Sequence, residues 1–286
     1  MSKEAPQSDL VTRFAAGVAM IAVACVAIYA GGNWGEWGGW LFRLLAVGAA
    51  AIMVVEWGDM HRVRRLWSYV TGVLLAGAVL AATQRFYPVG EIDTIAGAEA
   101  VDAATFADIW LCLAALLAAA VAATLLSRRP AMGWACLYVG APTVALIVIE
   151  WARFDLVFWL MLVTWATDIF AYFAGRSIGG PKLAPRVSPN KTWAGLIGGI
   201  AGAAVVGAVA AWQFGLAEGL PVFLWLGAPL AILAQLGDLY ESREKRRHGV
   251  KDSGALIPGH GGVLDRLDGL LPVALATLLV LIASLA

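Results

Sequence analysis

The chain has 286 residues, of which 61% are hydrophobic and only 14% charged, and its mean hydropathy is +0.79. A water-soluble domain carries about 25% charged residues, so the composition excludes an ordinary soluble protein and predicts an integral membrane protein. Net charge at neutral pH is zero, so the distribution of charge is informative and the total is not; no nucleic-acid partner is expected.

A polar tail, residues 1–12, leads into the first apolar run at 14–30. Lys3 and Arg13 flank it, but Glu4 and Asp9 dilute the positive end that a cleavable signal needs, so it reads as a retained span. Further apolar runs follow at 40–57, 66–82, 109–126, 131–149, 156–175, 194–214, 221–239 and 270–286. Each is near the roughly 20 residues that cross a hydrocarbon layer as a helix. None has the period-two alternation of a barrel strand, and backbone groups in lipid must be satisfied internally. The expected fold is therefore an all-α polytopic membrane protein of about nine transmembrane helices. About four fall in residues 1–130 and about five in 131–286, as one integral membrane unit. The three cysteines, Cys25, Cys112 and Cys136, lie inside apolar runs and read as packing residues.

The basic residues set an orientation. With the N-terminus inside, one side collects Lys3, Arg13, Arg62, Arg64, Arg65, Arg128, Arg129, Arg176, Lys182, Arg186, Lys191, Arg243, Lys245, Arg246, Arg247, Lys251 and Arg266. The other side holds only Arg43, Arg85 and Arg153, beside an acidic loop over about 84–106. Nine spans with a cytoplasmic N-terminus and an outside C-terminus fit the positive-inside rule. Glu56 and Asp59 are expected to pair with Arg62 or Arg64, and most tryptophans to anchor at the interfaces.

Chemistry is concentrated toward the C-terminal half. In Trp165-Ala-Thr-Asp168-Ile-Phe-Ala-Tyr172-Phe-Ala-Gly175-Arg176, a carboxylate sits inside an apolar helix, where it is costly and marks function by default. Asp168 and Tyr172 are four apart and share a face. Next, Lys182, Arg186 and Lys191 offer charge to phosphates, while Ser188 and Thr192 offer hydroxyls. The Ser188-Pro189 pair is placed to open the following helix, whose N-terminus favours anions. Asp238, Ser242 and Lys245 then fall at i, i+4 and i+7 on one face of the eighth span.

The longest polar run extends from Ser242 to Asp268. It sets Lys245, Arg246, Arg247, Lys251 and Arg266 beside Asp252, Asp265 and Asp268, with His260 among glycines. Cations of this density suit phosphate oxygens. Carboxylates beside them suit Mg²⁺, which binds through one or two carboxylates plus substrate phosphates.

Ser242, Lys245-Arg246, Lys251-Asp252, Pro258, His260-Gly261-Gly262, Asp265-Arg266 and Asp268 together resemble the C-terminal motif of the phosphatidate cytidylyltransferase (CDP-diacylglycerol synthase) family. The segments Asp168 to Arg176 and Ser188 to Gly195 resemble further family patterns, and the likeness covers about residues 134–268. Two positions depart: Ala194 stands where the family usually has Glu, and Glu244 where it usually has an apolar residue.

The resemblance implies transfer of a cytidylyl group from CTP to phosphatidate, giving CDP-diacylglycerol and pyrophosphate for phospholipid synthesis. With that reading, Asp238 and Asp265 are expected to hold Mg²⁺, as one ion or two, with Asp268 and Asp168 as further acidic candidates. Asp238, Asp265, Lys245 and Asp268 form the expected catalytic set. Lys245, Arg246 and Lys251 would hold the triphosphate, and Lys191 with Ser188 the lipid phosphate or β-phosphate. Thr192, Ser242, Asp252, His260 and Arg266 complete the expected substrate contacts. No nucleophile triad is visible, so direct in-line displacement is expected, in a bacterial inner membrane with the site facing the cytoplasm and a homodimer as partner state. Alternative readings are a related CTP-dependent membrane lipid transferase, a polyprenol kinase, or an ion-coupled transporter using Asp168.

Overall fold

The computed structural model describes residues 7–86, 103–216, 221–257 and 261–285. Among these residues, long helices dominate: α1 (Gln7–Asn33), α2 (Gly35–Met60), α3 (Arg65–Thr83), α4 (Ala103–Ser127), α5 (Pro130–Ala152), α6 (Phe154–Ser177), α7 (Trp193–Gln213) and α8 (Phe223–Arg247). All eight are long and apolar enough to cross a membrane. The ninth expected run forms a shorter helix, α10 (Leu270–Leu285), preceded by a single turn, α9 (Leu264–Leu267). The chain is an integral membrane protein.

Several helices outrun their apolar stretches, and α8 does so with consequence. The apolar run ends near residue 239, yet the helix continues two turns to Arg247. Glu, Lys and Arg are good helix formers, and Glu241 and Lys245 pair four residues apart along it. The polar motif residues are thereby fixed on a rigid rod instead of a loop.

The stretch between α6 and α7 contains a short antiparallel hairpin, β1 (Lys182–Ala184) with β2 (Ser188–Thr192). Lys182 lies opposite Thr192, and Ala184 opposite Ser188. Ser188-Pro189 therefore belongs to a strand, and α7 opens later, at Trp193. The Thr192 side chain accepts the Gly195 N–H at 3.0 Å and caps that helix.

Helices α6 and α7 meet along a seam of small residues. A Cβ at Gly199 would lie 2.9 Å from the Thr167 carbonyl oxygen. Close backbone approach of this kind is how helices associate in lipid, where hydrophobic burial between helices gains little.

The tryptophans divide between roles. Trp34, Trp37, Trp110, Trp212 and Trp225 are exposed, as interfacial anchors require. Trp57 and Trp159 depart from that expectation and are fully buried. Trp159 donates its indole N–H to the Gly207 carbonyl at 2.7 Å. Arg43 is also buried, donating to the Thr83 hydroxyl at 2.7 Å, so this expected outside cation ties α2 to α3.

Candidate active site

The site begins with a close approach. A Cβ on Gly237 would lie 2.4 Å from the Asp268 carbonyl oxygen and 2.8 Å from the Pro272 ring. Only glycine lets α8 come this near the α9–α10 junction. The next residue, Asp238, is thereby brought up to Asp268.

Asp238 binds in two directions. One oxygen stands 2.5 Å from the Lys191 ammonium, and the other accepts the Ser242 hydroxyl at 3.2 Å. Lys191 also donates to the Gln235 side-chain oxygen at 2.9 Å. Strand β2 thus delivers Lys191 to the face of α8 that the i, i+4 spacing defined. Asp168, on α6, faces the same space.

These residues wall a cleft of about 540 Å³ lined by Asp168, Tyr172, Arg176, Asn190, Lys191, Thr192, Gln235 and Asp238. Asp268 lies close enough to Asp238 and Asp168 to feel both charges. Its carboxyl is pushed up to about 8, first by burial and then by Asp238 and Asp168, against the Gly269 N–H and Lys191, which pull it down. Lys191 and Arg266 offset part of the negative charge that Asp168, Asp238 and Asp268 bring together here.

One turn further along α8 is a second cluster. Lys245 lies 2.6 Å from Glu241 and donates to Asp265 at 2.7 Å. Asp265 also accepts the backbone N–H of Ser253 at 3.0 Å and of Gly262 at 2.8 Å. Burial favours the neutral Asp265, but hydrogen bonds with Glu241, Lys245 and Gly262 outweigh it and hold this carboxyl below its ordinary range. Asp265 therefore pins both ends of the 253–262 segment while fixing Lys245.

Glu56 of α2 supports the same segment from the opposite side. It accepts the N–H groups of Val263 and Leu264 at 2.8 Å each, and the Ser253 hydroxyl at 3.3 Å. This corrects the expected pairing with Arg62 or Arg64: the carboxylate instead caps α9, whose first N–H groups have no intrahelical partner. Asp59 takes Arg65, at 3.4 Å. A capping box or Ser/Thr signature next to α9 would have suggested a local cap, but this cap comes from about 200 residues away.

The remaining expected residues are scattered around these two clusters. Ser188 begins β2 and is half-buried. Arg246 donates to the Val250 carbonyl at 3.2 Å. Lys251, Asp252 and Arg266 are exposed beside the site. Thr192 lines the cleft although its hydroxyl accepts a helix N–H. His260 lies outside the described residues. The sequence reading gave no role to Glu56 or Glu241 in the site; Glu241 is fully buried against Lys245.

Residues 11–284 match the cytidylyltransferase family. The chain is 37% identical over 267 residues to a phosphatidate cytidylyltransferase of Brucella abortus (strain 2308), covering 85% of this chain and 84% of that one. It is 47% identical over 119 residues to the phosphatidate cytidylyltransferase of Bacillus subtilis (strain 168), covering 40% and 43%. A phosphatidate cytidylyltransferase of Rickettsia bellii (strain RML369-C) is 42% identical over 127 residues, 41% of this chain and 54% of that one. With the family matched across nearly its whole length, this chain belongs to the cytidylyltransferase family and is a nucleotidyltransferase.

Proposed function

We propose that this protein transfers the cytidylyl group of CTP to phosphatidate, releasing pyrophosphate and leaving CDP-diacylglycerol in the membrane. The observation that carries this reading is the cleft in which Lys191, Asp238 and Asp168 meet beside Asp268. It lies within a chain that matches named phosphatidate cytidylyltransferases over 85% of its length.

The phosphatidate monoester has a second pKa near 6 and is already anionic at neutral pH, so attack needs no strong protein base. The obstacles are repulsion between two anions and the charge developing on pyrophosphate. Lys191 and Arg176 at the cleft wall, with Lys251 and Arg266 exposed nearby, draw and orient the phosphates. Ser242 and Ser188 offer hydroxyls. Lys245, held between Glu241 and Asp265, keeps a fixed positive charge behind the cleft instead of swinging freely.

Asp238, Asp268 and Asp168 offer carboxylate oxygens that suit a hard divalent cation, and such an ion would hold ionised the Asp268 carboxyl that its neighbours otherwise push up to about 8. Bound Mg²⁺ would supply charge neutralisation at the phosphates and template their alignment. Asp265 already accepts Lys245 and two backbone N–H groups. In this reading it mainly organises the site, and Asp268 joins Asp238 as a ligand.

A second cavity, about 570 Å³, lies between α1, α2, α6, Ile257 and residues 263–270, and among the described residues Arg266 is the only charged one lining it. Apolar walls next to the Asp265–Asp268 turn suit acyl chains. The site would face the cytoplasm of a bacterial inner membrane, the side on which the basic loops gather.

The test is pyrophosphate release by purified protein in detergent with CTP, phosphatidate and Mg²⁺, each omitted in turn. Release that requires all three, with CDP-diacylglycerol as lipid product, is expected. Release that is independent of phosphatidate would overturn the acceptor, and release that persists without divalent cation would overturn the role given to Asp238 and Asp268.

A further inference from the structure

Helices α2 and α8 end in the same way, side by side. At the end of α2, the Val63 N–H bonds to the Gly58 carbonyl at 2.9 Å and the Arg62 N–H to Asp59 at 3.1 Å. At the end of α8, the Val250 N–H bonds to the Lys245 carbonyl at 3.0 Å and the Gly249 N–H to Arg246 at 3.3 Å. These are two Schellman endings. Gly249 takes φ +72°, as that ending requires, and Arg62 takes φ +54° at the equivalent place. In both, the residue that caps the helix is a histidine: His61 and His248.

Each histidine folds back on its own helix. His61 Nδ1 lies 2.8 Å from the Trp57 carbonyl, and His248 Nδ1 lies 2.9 Å from the Glu244 carbonyl. A carbonyl oxygen only accepts, so Nδ1 carries a proton in both rings, and Nε2 is the nitrogen that a neutral ring offers to a ligand. The rings are 4.0 Å apart, and Trp57 stacks on His61 at 4.6 Å. Glu244 completes the group. It is buried, although it occupies the position where the motif usually has an apolar side chain. Its Oε1 accepts Arg247 at 2.8 Å.

We propose that His61, Glu244 and His248 form a binding site for a transition-metal ion of the zinc class, separate from the acidic cleft, that clamps α2 to α8. One ligand atom from each lies within 4.8 Å of the other two. Tetrahedral zinc with bonds of about 2.0–2.2 Å places its ligands roughly 3.3–3.6 Å apart, so the three must close by about 1.5 Å at most. That is within reach of side-chain rotation at two helix ends. Imidazole nitrogens select such an ion over Mg²⁺. Every ligand already has the outer partner that metal sites characteristically provide: a backbone carbonyl behind each histidine and Arg247 behind Glu244. Three protein ligands leave the fourth position to water.

Placement gives the site its consequence. Helix α2 carries Glu56, which caps α9, and α8 carries Asp238 and Lys245. An ion joining their ends would stiffen the frame on which the cleft is built.

The experiment uses purified, EDTA-washed protein in detergent with excess Mg²⁺ present. Zn²⁺ binding is measured by equilibrium dialysis, and the site is probed with Co²⁺ for its visible absorption bands. The expected result is one Zn²⁺ per chain, a higher melting temperature on binding, and tetrahedral-type Co²⁺ bands. His61→Gln, Glu244→Gln and His248→Gln should each weaken Zn²⁺ by more than the ~10–100-fold that loss of an outer partner causes. Asp238→Asn should leave Zn²⁺ binding intact, which separates this site from the cleft. Absence of stoichiometric Zn²⁺ binding to the wild type would overturn the proposal. So would binding that persists in a His61→Gln/His248→Gln double variant whose metal-free melting temperature matches the wild type.

Discussion

At Asp265, burial and hydrogen bonding pull in opposite directions, and hydrogen bonding wins. Its folded pKa lies below the ordinary 3.8, so the charged form is the stabilised one. The sign follows by linkage: stability from this residue is fully present above about pH 3.8 and is lost as pH falls through the folded value. Asp265→Asn should therefore melt well below the wild type near about pH 6, and the gap should narrow toward about pH 3. A gap that stays constant between those pH values would show that charge is not its source. Glu56 makes a different residue-scale prediction. Glu56→Ala strands two backbone N–H groups and the Ser253 hydroxyl in a buried place. The loss should be roughly 3 kcal/mol, read as a lower melting temperature, with turnover falling because Asp265 lies in α9 and Asp268 directly follows it. A variant that melts like the wild type would mean that water or a neighbouring group replaces the cap.

Gly237 decides how closely two elements approach. Gly237→Ala would set a methyl group 2.4 Å from the Asp268 carbonyl, so α8 and the α9–α10 junction must part. Overpacking of this kind costs about 1–3 kcal/mol. The larger effect should be on turnover, lowered on the order of 100-fold, because Asp238 and Asp268 no longer converge. Comparing melting temperature with kcat for Gly237→Ala checks this; equal and small changes in both would show that the seam is plastic. The long helices were legible in the sequence because apolar runs of membrane-spanning length have few other solutions. The i, i+4 and i+7 face of α8 was legible too: Asp238 contacts Ser242, and Lys245 lies one turn on. The 182–192 hairpin was not, since its polar, proline-rich residues carry no period-two alternation. Glu56 escaped because its partners, Val263 and Leu264, are about 200 residues away, and a local reading offered the nearer arginines. The His61–Glu244–His248 group escaped for the same reason, as only the fold sets the two helix ends together.

For the whole molecule, access of substrate depends on which face of the membrane carries the cleft. Hairpin residues Asn190, Lys191 and Thr192 line it, so the side reached by the hairpin is the side reached by substrate. Lys182 lies exposed in that hairpin, and Gln213 lies exposed at the far end of α7. One transmembrane helix separates them, so the two positions report opposite faces. In the proposed orientation the cations gather on the hairpin's side, and the positive-inside rule would make that side cytoplasmic. CTP and anionic phosphates would then reach the cleft without crossing the bilayer. The prediction uses a variant with Cys25, Cys112 and Cys136 replaced by alanine, carrying either Lys182→Cys or Gln213→Cys. In sealed right-side-out vesicles a membrane-impermeant maleimide should label Cys at 213 and spare Cys at 182, and inverted vesicles should reverse the pattern. Labelling of position 182 from outside would place the cleft away from the nucleotide pool. Such a result would remove the physical basis for CTP as substrate even with the fold intact.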